Sequence, residues 1–366
     1  MSEAEKGIDW KYNQITKNHD LSDDEDREKA EKEMSELISI LPEEIQQEYL
    51  PLAEVKFPEI KNQMRSKKAN ALVVTKSVDK PKILPLNQFL KTKFDSESIR
   101  QCKYLGFEFG SLTKICDGID GLQPGFYLLA AETNIGKTAC LANMFIDIIA
   151  RNPDVKGIYF SLDDSKEIII NRLLGIMTSL KLNQIQRKQQ NQSDHQKLEQ
   201  GYDTLITRFN EDRLDIKDIA EVRSIDQCEE LIINNSNRPL FVVIDGLYNL
   251  DIEGNSQIRE MNIERANRIK AIVDQYRIPI ITSGELRKKG TGEKPSGKPT
   301  IHDIMETGKL AYNSNVVWLL YPKELDTFSD DDEPILMLEF AKNKLSHFRS
   351  KIELKFTRKT SKIEEI

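Results

Sequence analysis

The feature that most restricts the fold of this chain is an apolar stretch that runs into a Gly-Lys-Thr turn and then into a second apolar stretch. Residues 125–130 are typical of a buried β-strand, and residues 139–151 of an apolar helix. A turn in this setting binds phosphate through its backbone N–H groups, while Lys137 adds a positive charge and the Thr138 hydroxyl can ligate Mg²⁺. We therefore predict a nucleotide-binding loop made of Ala131, Glu132, Thr133, Asn134, Ile135, Gly136, Lys137 and Thr138.

Strand-like and helix-like segments alternate in a regular order from residue 105 to residue 366. The pattern predicts helices over 167–180 and 259–276, and strands over 156–162, 239–245, 278–283, 315–321, 335–341 and 350–356. Such an alternation favours an α/β domain in which helices flank a mostly parallel sheet, with antiparallel strands toward the C-terminus.

Four carboxylates, Asp163, Asp164, Asp245 and Glu285, stand at or just past the ends of predicted strands. Ligands of parallel α/β sheets bind outside the carboxyl ends of the strands. We therefore expect these four side chains to meet the phosphate loop at one edge of the sheet.

The N-terminal region, residues 1–104, differs in composition from the remainder and is predicted to be mainly helical, partly flexible and linked to the larger domain. Residues 1–50 contain 15 acidic and 6 basic side chains, a net charge of −9, which leaves +2 for residues 51–366. A capping pattern at 22–25 precedes a charged helix predicted to reach Leu41. The near-neutral remainder permits a local basic groove for nucleic acid.

The chain contains no run of 18 or more apolar residues, and its start lacks the charged-then-apolar order of a signal peptide. Its four cysteines show no CxxC pairs. We expect a soluble cytoplasmic protein without membrane contact, with reduced thiols and no zinc site.

The order and spacing of the motifs resemble the C-terminal motor domain of DnaB-type replicative helicases, which are RecA-like ATPases, over about residues 105–358. The resembling segments are the lead-in Gly121-Leu122-Gln123-Pro124-Gly125, the phosphate loop or Walker A segment, Phe160-Ser161-Leu162-Asp163-Asp164-Ser165, the Walker B strand Val243-Ile244-Asp245, and Ala341-Lys342-Asn343-Lys344. The resemblance implies a RecA-like fold for this part of the chain.

The resemblance also implies that the nucleotide is ATP and that Mg²⁺ accompanies it. Lys137 and Thr138 would then hold the phosphates and Mg²⁺, and Asp245 would hold Mg²⁺ through its water ligands. Asp163 matches a family Glu that polarises the attacking water, with the adjacent Asp164 as a possible substitute. An Asp is one methylene shorter than a Glu, so some loss of rate is expected.

The segment Ala341-Lys342-Asn343-Lys344 lies where the family has its finger strand, whose arginine reaches into the nucleotide site of the neighbouring subunit. Lys342 matches the family's lysine, and Lys344 matches that arginine. This match implies a homo-oligomeric ring, a hexamer in the family, whose sites are completed in trans. An ammonium group cannot engage a phosphate bidentately as a guanidinium does, so a weaker contribution in trans is expected.

Further departures follow the Walker B strand: Tyr248 and Glu285 replace family glutamines, and Met305 replaces an arginine. Glu285 is kept among the predicted catalytic residues. The departures leave two functions open. One is an ATP-dependent helicase-like motor that translocates on single-stranded DNA during DNA replication, and the other is a catalytically weakened ATPase that serves as an ATP-gated assembly, loading or defence scaffold.

A basic segment at residues 287–299 matches the family's channel loop, which tracks the phosphates of single-stranded DNA. It holds five cations against one acid and no aromatic residue, which favours sequence-neutral backbone contact. The predicted DNA-binding residues are Arg287, Lys288, Lys289, Lys294 and Lys298. The N-terminal region is assigned to a possible replication or element-encoded protein partner.

Overall fold

The computed structural model describes residues 15, 17, 19, 23–39, 53, 56, 57 and 104–366, apart from 188–190, 253–256, 288–297, 306–307 and 325–332. The chain divides into two compact units, Met1–Lys80 and Pro81–Ile366. The predicted boundary after residue 104 stays a prediction, because residues 58–103 lie outside the described part. The same holds for a short strand that the sequence predicts at 71–74.

The N-terminal unit contains the predicted charged helix, α1 (Asp24–Ser39). One face of α1 is apolar and buried, and with residues from further along the chain it forms a small core. Its buried members are Ala30, Met34, Leu37, Ile38, Ala53 and Phe57. The spacing of three to four residues along α1 is that of an amphipathic helix, whose stability comes from packing of this face.

The larger unit is built on one nine-stranded sheet. Its strands are β1 (Gly125–Ala131), β2 (Lys156–Ser161), β3 (Leu214–Asp218), β4 (Leu240–Asp245), β5 (Pro279–Glu285), β6 (Val316–Pro322), β7 (Ile335–Asn343), β8 (Lys351–Thr357) and β9 (Lys362–Glu365). The order across the sheet is β3-β2-β4-β5-β1-β6-β7-β8-β9. The first six strands in this order pair in parallel and the last three add antiparallel, which confirms the predicted fold class.

Eight α-helices of the larger unit lie in the described residues. They are α2 (Thr113–Ile119), α3 (Lys137–Arg151), α4 (Lys166–Thr178), α5 (Leu182–Arg187), α6 (Gln192–Asn210), α7 (Ile225–Asn235), α8 (Ile258–Tyr276) and α9 (Lys309–Asn313). Two apolar cores result, and neighbouring residues of the central strands alternate between them: Tyr127 and Leu129 face one, Phe126 and Leu128 the other. Both faces of the sheet are therefore covered.

Both edge strands, β3 and β9, escaped sequence prediction, whereas every predicted strand of the larger unit is present. Lys217 of β3 pairs with Asp215 at 3.3 Å, and Lys362 of β9 pairs with Glu364 at 2.8 Å. Charged side chains are typical of edge strands, because they discourage pairing with other chains, and they hide the apolar pattern that marks a central strand.

The segment that leads into the sheet is held by Asp147 on α3. Its carboxylate accepts hydrogen bonds from the backbone N–H groups of Gly110, Ser111 and Leu112 at 2.7–3.1 Å. These bonds fix the start of α2 against the helix that begins at the phosphate loop. None of the helices that the structure describes is long and apolar enough to cross a membrane.

Candidate active site

The predicted nucleotide-binding loop lies between the end of β1 at Ala131 and the start of α3 at Lys137. Asn134 and Gly136 have positive φ values of 68° and 114°. The left-handed backbone conformation favours glycine at position 136, and a Cβ on Gly136 would also crowd the ring of Phe356 at 3.0 Å. Ala131 is part of the strand and has no positive φ, which explains why the first loop position accepts a β-carbon.

The Lys137 side chain folds back over the loop. Its Nζ donates a hydrogen bond to the Ala131 carbonyl oxygen at 3.1 Å and lies 3.8 Å from Oε1 of Glu285. Glu285 ends β5, whose register places it directly beside Ala131. The Glu285 carboxylate also accepts a hydrogen bond from the Thr133 hydroxyl at 3.3 Å. The structure thus brings Glu285 to the phosphate loop, as predicted from its position at a strand end.

Asp245, the predicted Walker B residue, is only 2% exposed, at the end of β4. Its Oδ2 accepts a hydrogen bond from the Tyr159 hydroxyl at 3.2 Å, whereas Oδ1 is buried without a hydrogen-bond partner among the described residues. Burial raises the pKa of the Asp245 carboxyl, and the charge of Asp163 adds to this effect, while the nearby hydroxyls of Thr138, Ser283 and Tyr159 oppose it.

These residues fit a Mg²⁺ ion held together with a bound nucleotide. One oxygen of Asp245 lacks a partner among the described residues, and the Thr138 hydroxyl lies close to the same carboxylate; carboxylate and hydroxyl oxygens are ligands that Mg²⁺ accepts. Among the described residues, no group of three or more His, Cys, Asp or Glu side chains could hold a metal ion by itself.

Asp163 lies at the same edge of the sheet, just past the end of β2. The Tyr248 hydroxyl is 2.8 Å from its Oδ2 and 3.1 Å from its Oδ1, and Asn249 donates from Nδ2 to Oδ1. Burial raises the pKa of the Tyr248 phenol, and the charges of Asp163, Glu285 and Asp245 raise it further. Sequence reasoning noted Tyr248 only as a departure and did not anticipate this contact.

The adjacent Asp164 has a different environment. Its carboxylate lies 3.4 Å from Nη2 of Arg172, and Nη1 of the same guanidinium donates to the Ser361 hydroxyl at 3.2 Å. The Asp164 carbonyl oxygen accepts a hydrogen bond from Ser161 at 2.6 Å. An ion pair with Arg172 makes Asp164 a poorer substitute for the water-polarising carboxylate than Asp163.

The finger lysines lie near the amino-terminal end of β6, whereas their own phosphate loop follows the carboxyl end of β1. Lys342 pairs with Val317 near the start of β6, and β6 runs parallel to β1, which reaches the loop at its far end. The Lys342 ammonium donates hydrogen bonds to the carbonyl oxygens of Ala311 and Tyr312 at 2.7 and 2.9 Å. Lys344 is exposed. The role predicted for the two lysines, in the nucleotide site of a neighbouring copy, stays a prediction.

The predicted DNA-binding segment is described only at its ends. Arg287 is exposed, and its backbone N–H donates to the Asp303 carbonyl oxygen at 2.8 Å. Lys298 forms an ion pair with Glu339 at 2.5 Å. Lys288, Lys289 and Lys294 lie outside the described residues, so their assignment stays a prediction.

Two protein-family models match the chain. The DnaB-like helicase C terminal domain matches residues 108–365, and the DnaB-helicase binding domain of primase matches residues 8–50. The second match agrees with the predicted assignment of the N-terminal region to a replication protein partner, although the sequence reasoning did not identify the kind of domain. The matched residues 8–50 contain α1 with its apolar face.

Curated relatives are replicative helicases with low identity to this chain. The replicative DNA helicase DnaB of Buchnera aphidicola subsp. Schizaphis graminum is 24% identical over 209 residues, which are 56% of this chain and 44% of the relative. The replicative DNA helicase DnaC of Bacillus subtilis is 22% identical over 247 residues, or 64% of this chain and 53% of the relative. The chain thus spans about half the length of the curated relatives it matches.

Two solved structures share the fold. One, an isolated ATPase domain, superimposes with a TM-score of 0.66 at 19% identity, and the match covers 77% of this chain and 99% of that domain. The other is a DnaB-like replicative helicase, from a structure that addresses its interactions with primase. It gives a TM-score of 0.64 at 19% identity, and the match covers 93% of this chain and 77% of the helicase chain. With its phosphate loop, Walker B strand and strand order in place and its residues 108–365 matched, the chain belongs to the family of the DnaB-like helicase C-terminal domain.

Proposed function

We propose that this protein is an ATP-hydrolysing motor of the replicative-helicase type, which assembles as a ring, a hexamer as in its family, and translocates on single-stranded DNA during DNA replication. The observation that supports this most strongly is the convergence of Lys137, Asp245 and Asp163 at one edge of a RecA-like sheet. Phosphoryl transfer depends mainly on positioning and on charge stabilisation, and these side chains supply both.

In the proposed reaction, the loop N–H groups and Lys137 hold the triphosphate. Mg²⁺ bound by Thr138, and through water by Asp245, would neutralise charge on the phosphate oxygens. Asp163 orients a water molecule and accepts one of its protons. Lys344 of a neighbouring copy adds positive charge at the transferred phosphoryl group.

DNA binding is assigned to the basic segment at 287–299. In sequence it directly follows β5, whose last residue, Glu285, contacts the phosphate loop, so a change at the nucleotide can reach the segment through one strand end. Cationic contacts to the phosphate backbone would be insensitive to base sequence and sensitive to salt.

Residues 8–50 are assigned to contact with another protein of the replication machinery. The support is the match to a helicase-binding domain of primase together with the packed apolar face of α1. The substitution Met34→Asp should disrupt the small core around α1, and with it the binding of a DnaB-type helicase or primase partner, while ATP turnover is retained. Partner binding by Met34→Asp as strong as that of the native chain would contradict the assignment.

A catalytically weakened ATPase that serves as an ATP-gated scaffold is the less favoured function. Of the departures that motivated it, Asp163 and Tyr248 contact each other, and Glu285 contacts Lys137. These three replacements thus take part in contacts at the candidate site, which supports a site kept for chemistry.

ATP turnover with and without single-stranded DNA separates the two functions. We expect hydrolysis by the native chain that DNA stimulates, and background rates for Lys137→Ala in both conditions. Lys270→Ala, a change of the same type on α8 where Lys270 pairs with Asp274, should behave as native. Native turnover equal to that of Lys137→Ala, with nucleotide binding retained, would reject the motor and favour the scaffold.

A further inference from the structure

The turn that follows β4 surrounds Asp163 with hydrogen-bond donors. The Tyr248 hydroxyl lies within hydrogen-bonding distance of both carboxylate oxygens, at 2.8 and 3.1 Å. Asn249 donates from the same Nδ2 group to Asp163 and, at 3.1 Å, to the Leu162 carbonyl oxygen. The turn therefore holds both the carboxylate and the backbone that precedes it.

The close approach of this turn depends on Gly246. Its φ is +89°, and a Cβ placed there would lie 2.9 Å from Cγ of Asp163. Its N–H donates to the Ser283 hydroxyl at 2.8 Å, which ties the turn to β5 as well. The turn is thus fixed from two neighbouring strands before it meets Asp163.

Two replacements relative to the family pattern are in contact here. The chain has an Asp where the family has a Glu, and 85 residues later it has Tyr248 where the family has a Gln. Because Asp is one methylene shorter than Glu, it leaves space next to its carboxylate that the longer side chain would fill. The phenol of Tyr248 reaches across that space to the carboxylate.

We propose that Tyr248 is a positioning residue for ATP hydrolysis, whose hydroxyl holds the Asp163 carboxylate in the orientation that accepts a proton from the attacking water. The inference rests on the proposed function. In the step itself, the water oxygen bonds to the γ-phosphorus as the bond from γ-phosphorus to the bridging oxygen of ADP breaks. Asp163 takes one water proton and later releases it to solvent, while Tyr248 keeps its own.

The chemistry of the two groups supports this division of roles. An ionised carboxylate offers about four lone-pair positions, and the donors of Tyr248 and Asn249 leave room for a water molecule. Burial raises the pKa of Tyr248, with the charge of Asp163 adding to the effect, so the phenol stays a donor at physiological pH. A fixed donor of this kind lowers the freedom of the base without competing for the proton.

The test compares Tyr248→Phe and Tyr248→Gln with the native chain in steady-state ATP hydrolysis. Tyr248→Phe keeps the ring but loses the hydroxyl, so kcat should fall about tenfold, with KM for ATP and the melting temperature nearly unchanged. Tyr248→Gln restores a donor and should recover part of kcat. Tyr276→Phe, which changes a tyrosine whose hydroxyl accepts a hydrogen bond from the Gln275 side chain, is the matched control and should leave kcat as it is.

A double-mutant cycle with Asp163→Asn distinguishes positioning from a structural role. If Tyr248 acts through Asp163, adding Tyr248→Phe to Asp163→Asn should cost no further rate. A tenfold loss in both backgrounds, or no loss in either, would overturn the inference while leaving Lys137-dependent turnover intact. Native turnover equal to that of Lys137→Ala would instead reject the proposed function, and this inference with it.

Discussion

The ammonium of Lys137 lies 3.8 Å from the carboxylate of Glu285 in a site where their side chains are 12% and 32% exposed. The carboxylate stands beside the loop that is proposed to hold a triphosphate. It therefore pairs with the cation that the phosphates need, and it adds negative charge next to them. Glu285 is expected to oppose nucleotide binding and to return to Lys137 after product release.

Replacing this carboxylate by an amide should strengthen nucleotide binding. In Glu285→Gln, Lys137 loses its anionic partner and the phosphates lose a like charge, so the Kd for a fluorescent ATP analogue should fall roughly three- to tenfold, or about 0.7–1.4 kcal/mol. Glu211→Gln removes the same charge at the end of α6 and serves as the control. Equal or weaker binding by Glu285→Gln would contradict the competition.

A methyl group on Gly246 should disturb Asp163 without touching the phosphate loop. Alanine in a left-handed conformation costs roughly 1–2 kcal/mol, and its Cβ would lie 2.9 Å from the carboxylate carbon. Gly246→Ala should lower kcat by about tenfold or more and leave ATP binding within about twofold. Gly308→Ala, at a position where a Cβ would meet nothing within 4 Å and φ is −50°, should retain native kcat. If Gly246→Ala hydrolysed ATP with the native kcat, as Gly308→Ala is expected to do, the close approach of the turn after β4 would not be needed for catalysis.

Much of the fold could be predicted because its signals are local. The strand, turn and helix over residues 125–151 combine an apolar run with a motif whose residues are adjacent in sequence. Asp245 ends the most apolar strand of the chain, and the parallel register then brings it beside Ser161. Local patterns and the rule for parallel sheets were sufficient for these elements.

The remaining features depend on contacts between distant residues. Nothing near Tyr248 in the sequence indicates that its hydroxyl meets an acid 85 residues earlier, because that contact requires β2 and β4 to be neighbours. The bonds from Lys342 to the last carbonyl groups of α9 likewise depend on how β7 folds back along β6. The edge strands were missed for another reason, since their charged side chains mask the apolar pattern.

Lys342 provides a pH-dependent contribution to stability. Burial, and the neighbouring charge of Lys344, lower the pKa of its ammonium from 10.5 to about 8. The folded state thus binds this proton less tightly than the unfolded chain, and the free energy of unfolding should rise as the pH increases from about 8 toward 10.5. Urea denaturation at pH 7.0 and 9.5 should show a larger rise for the native chain than for Lys342→Met. An equal rise in both would contradict the lowered pKa.

Two ends of the basic segment should contribute differently to DNA binding. Lys298 is paired with Glu339, whose side chain is 17% exposed, whereas Arg287 is itself exposed. Arg287→Ala should therefore reduce the salt slope of binding to an oligothymidine by about 0.7, the value for one phosphate contact on a single strand, and Lys298→Ala by less. Fluorescence anisotropy from 50 to 300 mM salt would measure both, with Lys197→Ala on α6 as the control. A larger effect of Lys298→Ala would show that DNA displaces Glu339.

The finger lysine should act on the site of a neighbouring copy. Because Lys344 lies near the amino-terminal end of β6, whereas its own phosphate loop follows the carboxyl end of β1, Lys344→Ala should reduce ATP hydrolysis and leave nucleotide binding intact. In rings formed from equal parts of Lys344→Ala and Lys137→Ala chains, about a quarter of the sites would pair an intact loop with an intact finger. The rate of ATP hydrolysis by the mixture should then exceed the mean rate of the two separate variants. A mixture no more active than that mean would show that Lys344 acts within its own chain or does not contribute to hydrolysis.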